Sequence, residues 1–300
     1  MELRQLKKYE PIYVIGHSNI DIDSAVASKI LSDILNGFGI KAYYAVLEEK
    51  YNFDAYNQGM VDACMKFEPV VVKKEDITKH NWFLVDHNDR HQSVGMEAAV
   101  LGSIDHHPNA GNVENVEVTD VCSTSLHIFN EYKDEYEFTE EQKYQIYLAF
   151  LNDATFGRAS RYKPSDEAIA KQLGFNYDYK ELFKKFFIPT DLSKGVHTQM
   201  KNGHKKYQFE DVYFESGYIE AFGIEGLEEY KNIIQNLEAY LGVWVDYESD
   251  KTFAYFKYDN KFIEFKYDFV ASRATTILND VIQYLRGNQY IENPSKKVLK

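Results

Sequence analysis

The sequence has little cysteine and no long apolar run, and these two absences exclude several classes of protein. Only two of its 300 residues are cysteines, Cys64 and Cys122, which is too few for a disulfide framework or a cysteine-based zinc site. No apolar run approaches the length of a membrane span, and residues 1–8 are too polar for a signal peptide. We therefore expect a cytoplasmic protein with no membrane partner.

Positive charge is also scarce. The chain carries 34 Lys and Arg against 47 Asp and Glu, for a net charge of -13. A chain this acidic lacks the basic surface of a duplex-binding protein, so no nucleic acid partner is expected. If the substrate is a small anion, bound metal ions and a few placed basic residues must attract it locally. The length suggests one large or two ordinary domains, with enough core to be stable without disulfides.

Residues 16–24, with the sequence GHSNIDIDS, join an apolar run to a stretch of helical spacing. The pattern predicts a buried strand, a turn and a helix, with Asp23 or Ser24 as the N-cap. His17, Asp21 and Asp23 would then lie at the carboxyl end of a strand, where open α/β sheets bind ligands. We expect Asp21 and Asp23 to point the same way in an extended turn. Imidazole and carboxylate donors suit a divalent metal, although a capping aspartate beside a surface histidine explains the segment alone equally well.

Two more apolar runs end in the same kinds of side chain. Asp86 follows the run at 82–85, and His106 and His107 follow the run at 101–104. Asp153 ends a predicted helix that opens with a capping-box pattern at residue 139. Parallel strands bring their carboxyl ends to one edge of a sheet, so these side chains are expected to converge. Such a set could hold two divalent ions, the usual arrangement for phosphoryl hydrolysis; alternatively, Asp105 and Asp153 are helix caps and His106 is a core histidine.

The rest of the chain predicts an α/β protein with two domains. Strands at 41–47, 69–72 and 113–118 and helices at 123–132, 139–153 and 165–173 favour an N-terminal domain with a mostly parallel sheet flanked by helices. A linker is expected at 187–193, where Pro189 breaks the preceding helix, so the domains would span 1–188 and 195–300. The second is a smaller mixed α/β domain, with antiparallel strands at 207–221 and 243–267 and helices at 226–241 and 273–285.

The polar motifs together resemble the DHH phosphoesterases, and most closely the manganese-dependent (family II) inorganic pyrophosphatases. The matching stretches are residues 16–24, 84–93, 104–107 and 152–153, in the family's order. The resemblance continues to residues 191–194 and 272–273, and it includes an accessory domain of the DHHA2 type. It implies metal-dependent hydrolysis of a phosphoanhydride bond, above all of inorganic pyrophosphate to two phosphates, by a hydroxide that two metal ions activate.

The resemblance also implies a role for each matching residue. One metal ion would be bound by His17 and Asp21, and the bridging ligand would be Asp86. The second ion would be bound by Asp23, His106 and Asp153. The substrate would be contacted by His107 and, in the second domain, by Lys205 and Arg273, as the cleft between the domains closes. Manganese is the expected metal, with cobalt, magnesium or iron also suited to these ligands, and a homodimer through the first domain is possible.

The chain departs from the family pattern at two positions. Ile20 replaces a usual proline, which should affect only the stiffness of the turn. Ala274 replaces the lysine of a Ser-Arg-Lys motif, so the phosphate clamp has lost a cation, for which Arg158 is one possible substitute. The match near Lys205 also leaves Lys206 open as the clamp residue. An exopolyphosphatase or a nucleotide phosphohydrolase is therefore the alternative function, and a nuclease or a non-enzymatic regulatory relative is less favoured.

Overall fold

The computed structural model describes residues 2–18, 20–48, 68–155, 157–159, 161–175, 189–201 and 204–287. Cys64 and the helix predicted before Pro189 lie outside these ranges. The chain divides into two compact units, Met1–Phe187 and Ile188–Lys300, and each is described by itself. Among the described residues, no helix is both long and apolar enough to span a bilayer.

The described part of the first unit is built on a six-stranded sheet. Its strands are β1 (Ile12–Ile15), β2 (Ala42–Leu47), β3 (Val70–Val72), β4 (Asn81–Val85), β5 (Ala99–Asp105) and β6 (Val116–Val118). They lie in the order β3-β2-β1-β4-β5-β6, and every pair is parallel. The predicted parallel sheet is thus confirmed. Because β1, β4 and β5 are neighbours at its centre, the polar groups that follow them emerge side by side.

Four helices accompany this sheet in the described residues: α1 (Ile22–Gly37), α2 (Thr124–Tyr132), α3 (Glu140–Asp153) and α4 (Pro164–Ala170). The first of them packs against β1, β2, α2 and α3, and it carries a long buried face because 12 of its residues are buried. The predicted capping box of α3 is present, with Thr139 and Gln142 capping each other's backbone. The helix predicted at 165–173 begins one residue earlier, at Pro164, and its last turn is a 3-10 helix.

The predicted start of α1 is wrong. Asp21 is the N-cap, and its Oδ1 accepts a hydrogen bond from the backbone N–H of Ser24 at 2.9 Å. The helix therefore begins at Ile22, and Asp23 lies in its first turn rather than in an extended segment. An aspartate two residues further back caps better because the hydroxyl of Ser24 accepts the N–H of Asp21 in return, which satisfies two backbone donors at once.

The second unit contains a five-stranded mixed sheet among its described residues. Its strands are β7 (Lys205–Phe209), β8 (Val212–Ala221), β9 (Tyr240–Asp246), β10 (Lys251–Tyr258) and β11 (Lys261–Tyr267), in the order β11-β10-β9-β8-β7. Three helices, α5 (Val196–Gln199), α6 (Leu227–Gln235) and α7 (Leu278–Leu285), complete it, and α7 follows a π-helical turn over Arg273–Ile277. The aromatic side chains of Tyr230 and Trp244 form the centre of its core.

The antiparallel prediction for this second sheet is wrong at one place. Strands β8 and β9 pair in parallel, whereas the other three pairs are antiparallel. The reason is α6, which packs on β9 and β10 and carries the chain back to the end where β8 started, as parallel pairing requires. This helix ends at Gln235, earlier than the predicted residue 241, because β9 begins at Tyr240.

Candidate metal centre

Asp86 lies at the centre of the sheet edge, directly after β4. Its backbone adopts a φ of 60°, in the left-handed region that few residues other than Gly, Asn and Asp visit. Its N–H donates to the carbonyl of Ile104 at 3.0 Å, which ties the end of β4 to β5. The side chain is 1% exposed. The fold thus turns a carboxylate into the interior at the point where three parallel strands end.

The first group of donors consists of His17, Asp21 and Asp86. Nε2 of His17 lies 3.2 Å from Oδ2 of Asp21 and 3.3 Å from Oδ2 of Asp86. Burial alone would lower the pKa of His17, but the hydrogen bonds with Asp21 and Asp86 raise it to about 11. Asp21 faces His17 with Oδ2 and caps α1 with its other oxygen, Oδ1. In the absence of a cation, a proton on His17 therefore supplies the positive charge between two carboxylates.

The second group consists of Asp23, Asp86, His106 and Asp153, whose donor atoms all lie within 4.8 Å of one another. Nε2 of His106 is 3.2 Å from Oδ1 of Asp86 and 3.8 Å from Oδ2 of Asp153. Two buried atoms, Oδ2 of Asp153 and Nδ1 of His106, have no hydrogen-bond partner among the described residues. Buried polar groups are normally paired. Oδ2 of Asp153 faces Nε2 of His106 within this group, so its missing partner indicates a site shaped for a ligand.

The charges of this second group also fit a cation. Burial, followed by the charges of Asp23 and Asp86, raises the pKa of Asp153 well above its ordinary value. Burial and then Asp86 raise the pKa of Asp23 as well. Burial would raise the pKa of Asp86 too, but the hydrogen bonds with His106 and His17 outweigh it and hold that pKa below the usual range. Closely spaced buried carboxylates with imidazole neighbours are the donor set of a divalent metal site.

Asp86 joins the two groups. Its Oδ1 faces His106, and its Oδ2 faces His17. One carboxylate therefore contributes a different oxygen to each donor group, which is the geometry that a bridging ligand requires. All six residues predicted as metal ligands meet at this edge of the sheet, and the predicted convergence is what the structure shows.

His107 lies beside this centre and is held by a buried aspartate. Its Nδ1 is 2.9 Å from Oδ1 of Asp105, whose side chain is fully buried, and 4.0 Å from Oδ1 of Asp86. Asp105 also accepts the backbone N–H of His107 and a hydrogen bond from the side-chain amide of Asn88. Asp105 is thus not a helix cap; it fixes the turn after β5. The imidazole of His107 is 42% exposed, so its other nitrogen is accessible next to the donors.

A neighbouring histidine of the same stretch has a different role. His87 is buried, with Nδ1 2.9 Å from the carbonyl of Val85 and Nε2 2.6 Å from the hydroxyl of Ser93. Burial lowers its pKa to about 4, so the ring stays neutral. Both nitrogens are occupied by the local turn, and His87 therefore braces the loop that follows Asp86.

Sequence reasoning missed the start of α2, which contacts the centre directly. Asp23 accepts hydrogen bonds from the hydroxyl of Ser123 at 2.8 Å and from the backbone N–H groups of Thr124 at 2.6 Å and Ser125 at 3.0 Å. The hydroxyl of Thr124 donates to Oδ1 of Asp86 at 3.0 Å. The Ser-Thr-Ser run is typical of a helix start, and the sequence alone predicts no further role for it.

In the second unit, Lys205 and Arg273 share one face of the sheet. Lys205 on β7 lies opposite Ser216 on β8, and side chains directly opposite each other lie on the same face. The guanidinium of Arg273 donates to the hydroxyl of Ser216 at 3.4 Å and lies 5.3 Å from the ring centre of Tyr218. Lys206 is on the other face, because side chains alternate along a strand, and it pairs with Glu215 at 3.6 Å.

Residues 11–152 match the sequence profile of the DHH family, N-terminal domain. This match lies within the first unit and covers the six strands of its parallel sheet. Among characterised proteins, the chain is 28% identical over 177 residues to the manganese-dependent inorganic pyrophosphatase of Bacillus subtilis, covering 55% of this chain and 54% of that protein. It thus spans about half the length of that relative.

Two further relatives cover more of the chain. The manganese-dependent inorganic pyrophosphatase of Methanothrix thermoacetophila is 25% identical over 234 residues, or 72% of each chain. A crystal structure of a Methanococcus jannaschii protein assigned to the family II inorganic pyrophosphatases superposes with a TM-score of 0.62 at 18% identity, covering 89% of this chain and 97% of that one. At that identity the superposition supports the fold alone.

Proposed function

We propose that this protein is a metal-dependent hydrolase that cleaves inorganic pyrophosphate to two phosphates. The observation that carries the proposal is Asp86, whose two oxygens face two separate groups of histidine and carboxylate donors. Similarity to proteins named manganese-dependent inorganic pyrophosphatases supports the same reaction and the same metal.

The donor groups suggest how two divalent ions would be held. We assign one ion to His17 and Asp21, the other to Asp23, His106 and Asp153, and both to Asp86. When bound, such a pair lowers the pKa of coordinated water and neutralises charge on the transferred phosphoryl group. Nitrogen and oxygen donors suit manganese, and cobalt or magnesium would also fit them.

The remaining site residues act on the substrate. His107, with Nδ1 fixed by Asp105, offers its exposed nitrogen to a phosphate oxygen. In the second unit, we assign Lys205 and Arg273 to the phosphate groups, because the sheet places both on one face. Arginine suits this task because its planar fork matches phosphate oxygens. The ion pair of Lys206 on the other face favours Lys205 as the clamp lysine.

Phosphate release from pyrophosphate is the direct test. The protein is first treated with a chelator, and initial rates are then measured with manganese, cobalt or magnesium added back. Turnover is expected with manganese, and Asp86→Ala should abolish it. Asp120→Ala is the matched control, because its side chain is 94% exposed and belongs to neither donor group. Absence of turnover with every divalent metal would overturn the proposal.

The alternative substrates are longer polyphosphates and nucleotides. The resemblance places Ala274 at the lysine of a Ser-Arg-Lys motif, and a clamp with one cation fewer could accept a substrate of different charge and length. Rates with pyrophosphate, tripolyphosphate, longer polyphosphate and nucleoside triphosphates, measured side by side, distinguish these functions. A higher kcat/KM for one of the others than for pyrophosphate would assign the site to that substrate.

A further inference from the structure

The first residues of α2 are packed against the donor groups and away from solvent. Ser123, Thr124 and Ser125 are all fully buried. Together they direct one hydroxyl and two backbone N–H groups at the carboxylate of Asp23. Three donors on one carboxylate fix its orientation.

Within this segment, Thr124 contacts Asp23 of the second donor group and Asp86, the carboxylate that both groups share. Its backbone N–H donates to Oδ2 of Asp23 at 2.6 Å, and its hydroxyl donates to Oδ1 of Asp86 at 3.0 Å. The same oxygen of Asp86 lies 3.2 Å from Nε2 of His106. A hydrogen bond at Oδ1 restricts rotation of the carboxylate, and this keeps Oδ2 directed toward His17.

The hydroxyl of Thr124 is not needed to begin the helix. The side chain of Ser123 already caps α2, accepting the N–H of Leu126 at 3.3 Å. In the described part of the chain, the hydrogen-bond partner of the Thr124 hydroxyl is Asp86 alone. A structural cap therefore does not explain this contact, whereas orientation of the shared carboxylate does.

We propose that Thr124 is a positioning residue for the metal pair, whose hydroxyl orients Asp86 across the two donor groups. The proposal rests on the metal centre of the proposed function but not on the identity of the substrate. Partners that hydrogen-bond to metal ligands typically change metal affinity by roughly 10–100-fold when they are removed. Loss of this single hydroxyl should therefore be visible in metal binding itself.

The test measures manganese binding to chelator-treated protein by calorimetry, without substrate. Thr124→Val keeps the shape and the backbone N–H but removes the hydroxyl, and we expect roughly 10–100-fold weaker binding. Thr124→Ser keeps a hydroxyl at this position, so its loss of affinity should stay well below that range of roughly 10–100-fold. If the valine variant does not fold, Thr124→Ala removes the same group with a smaller side chain, and the same loss is expected of it.

A second control separates positioning from a general loss of stability. Thr252 is a fully buried threonine of the second unit whose hydroxyl donates to the carbonyl of Phe269. Thr252→Val should lower the melting temperature without changing manganese affinity. Unchanged affinity in Thr124→Val, or an equal loss in Thr124→Ser and Thr124→Val, would overturn the proposal.

Manganese binding and phosphate release together separate a failure of the role proposed for Thr124 from a failure of the proposed function. If the unsubstituted protein binds manganese but releases no phosphate from pyrophosphate, the substrate is wrong, and the binding series still decides the role of Thr124. If the unsubstituted protein binds no divalent metal, the metal centre and the role of Thr124 are both refuted.

Discussion

Replacing Asp153 with asparagine should have opposite effects on stability in the absence and in the presence of metal. Donor atoms of Asp23, Asp86 and Asp153 lie within 4.8 Å of one another. At that distance and an effective dielectric constant of 20, one pair of like charges costs about 3.5 kcal/mol. The metal-free protein limits this cost by keeping a proton on Asp153, because burial and the charges of Asp23 and Asp86 raise its pKa well above the ordinary value.

The direction of the pH dependence follows from that raised pKa. The unfolded chain releases the proton near its ordinary pKa of about 3.9, whereas the folded chain keeps it to a higher pH. The contribution of Asp153 to the stability of the metal-free fold is thus fully present below about pH 4 and is lost as the pH rises through the raised pKa. Asparagine is neutral throughout and can donate to the neighbouring carboxylates. Asp153→Asn should therefore stabilise the metal-free protein by roughly 1–3 kcal/mol at pH 8 and hardly at all at pH 4.

Thermal unfolding in chelator between pH 4 and pH 8 measures this difference, at roughly 2–4 °C per kcal/mol for a unit of this size. With saturating manganese the order should reverse. A metal at 100 times its dissociation constant contributes about 2.7 kcal/mol to the stability of the unsubstituted protein, and the variant loses part of that. A variant that is no more stable than the unsubstituted protein in chelator at pH 8 would refute the account of repelling carboxylates.

Three further substitutions test other parts of the molecule. Lys205→Ala should raise the KM for pyrophosphate roughly tenfold, as expected when one charged contact is lost, while Lys206→Ala, on the other face of the sheet, leaves it nearly unchanged in initial-rate kinetics. Gly16→Ala places a Cβ 2.7 Å from Cβ of Ser24, and this crowding should cost about 1–3 kcal/mol in urea unfolding and weaken manganese binding at the adjacent turn. Ala274→Lys restores the missing cation and should raise pyrophosphate turnover; a fall in the turnover of another substrate instead would assign the site to that substrate.

The architecture of the first unit follows from patterns that a single sequence displays. Short apolar runs such as Ile12–Ile15 alternate with helical periodicity, and this combination is typical of parallel sheets. The pairing directions in the second sheet do not follow from such patterns. Residues alternate between the two faces of a strand whether its neighbour runs parallel or antiparallel to it. Only the packing of α6 on β9 decides that β8 and β9 run in parallel.

The donor groups were predictable for a geometric reason. Neighbouring parallel strands end at one edge, so the residues after β1, β4 and β5 had to approach one another. Their roles as metal ligands stay predictions, as do the number and identity of the ions, the homodimer, the compartment and the domain bounds at 1–188 and 195–300.

Two features of the site could not be read from the sequence. The contact between Thr124 and Asp86 joins residues 38 positions apart, and it depends on how α2 docks against α1. The choice between Lys205 and Lys206 depends on register, because a shift of one residue exchanges the two faces of a strand. Both features depend on tertiary structure, and neither leaves a signal in the local sequence pattern.

The position of Asp86 makes two demands that few side chains meet together. Its backbone must enter the left-handed region at φ 60°, which glycine, asparagine and aspartate tolerate and longer side chains tolerate less well. Its side chain must also present two charged oxygens, one to His17 and one to His106. Glycine and asparagine satisfy the first demand but carry no charge, while glutamate has the charge but a longer and less fixed side chain. Aspartate alone meets both demands, which ties the backbone geometry of this strand end to the chemistry proposed for it.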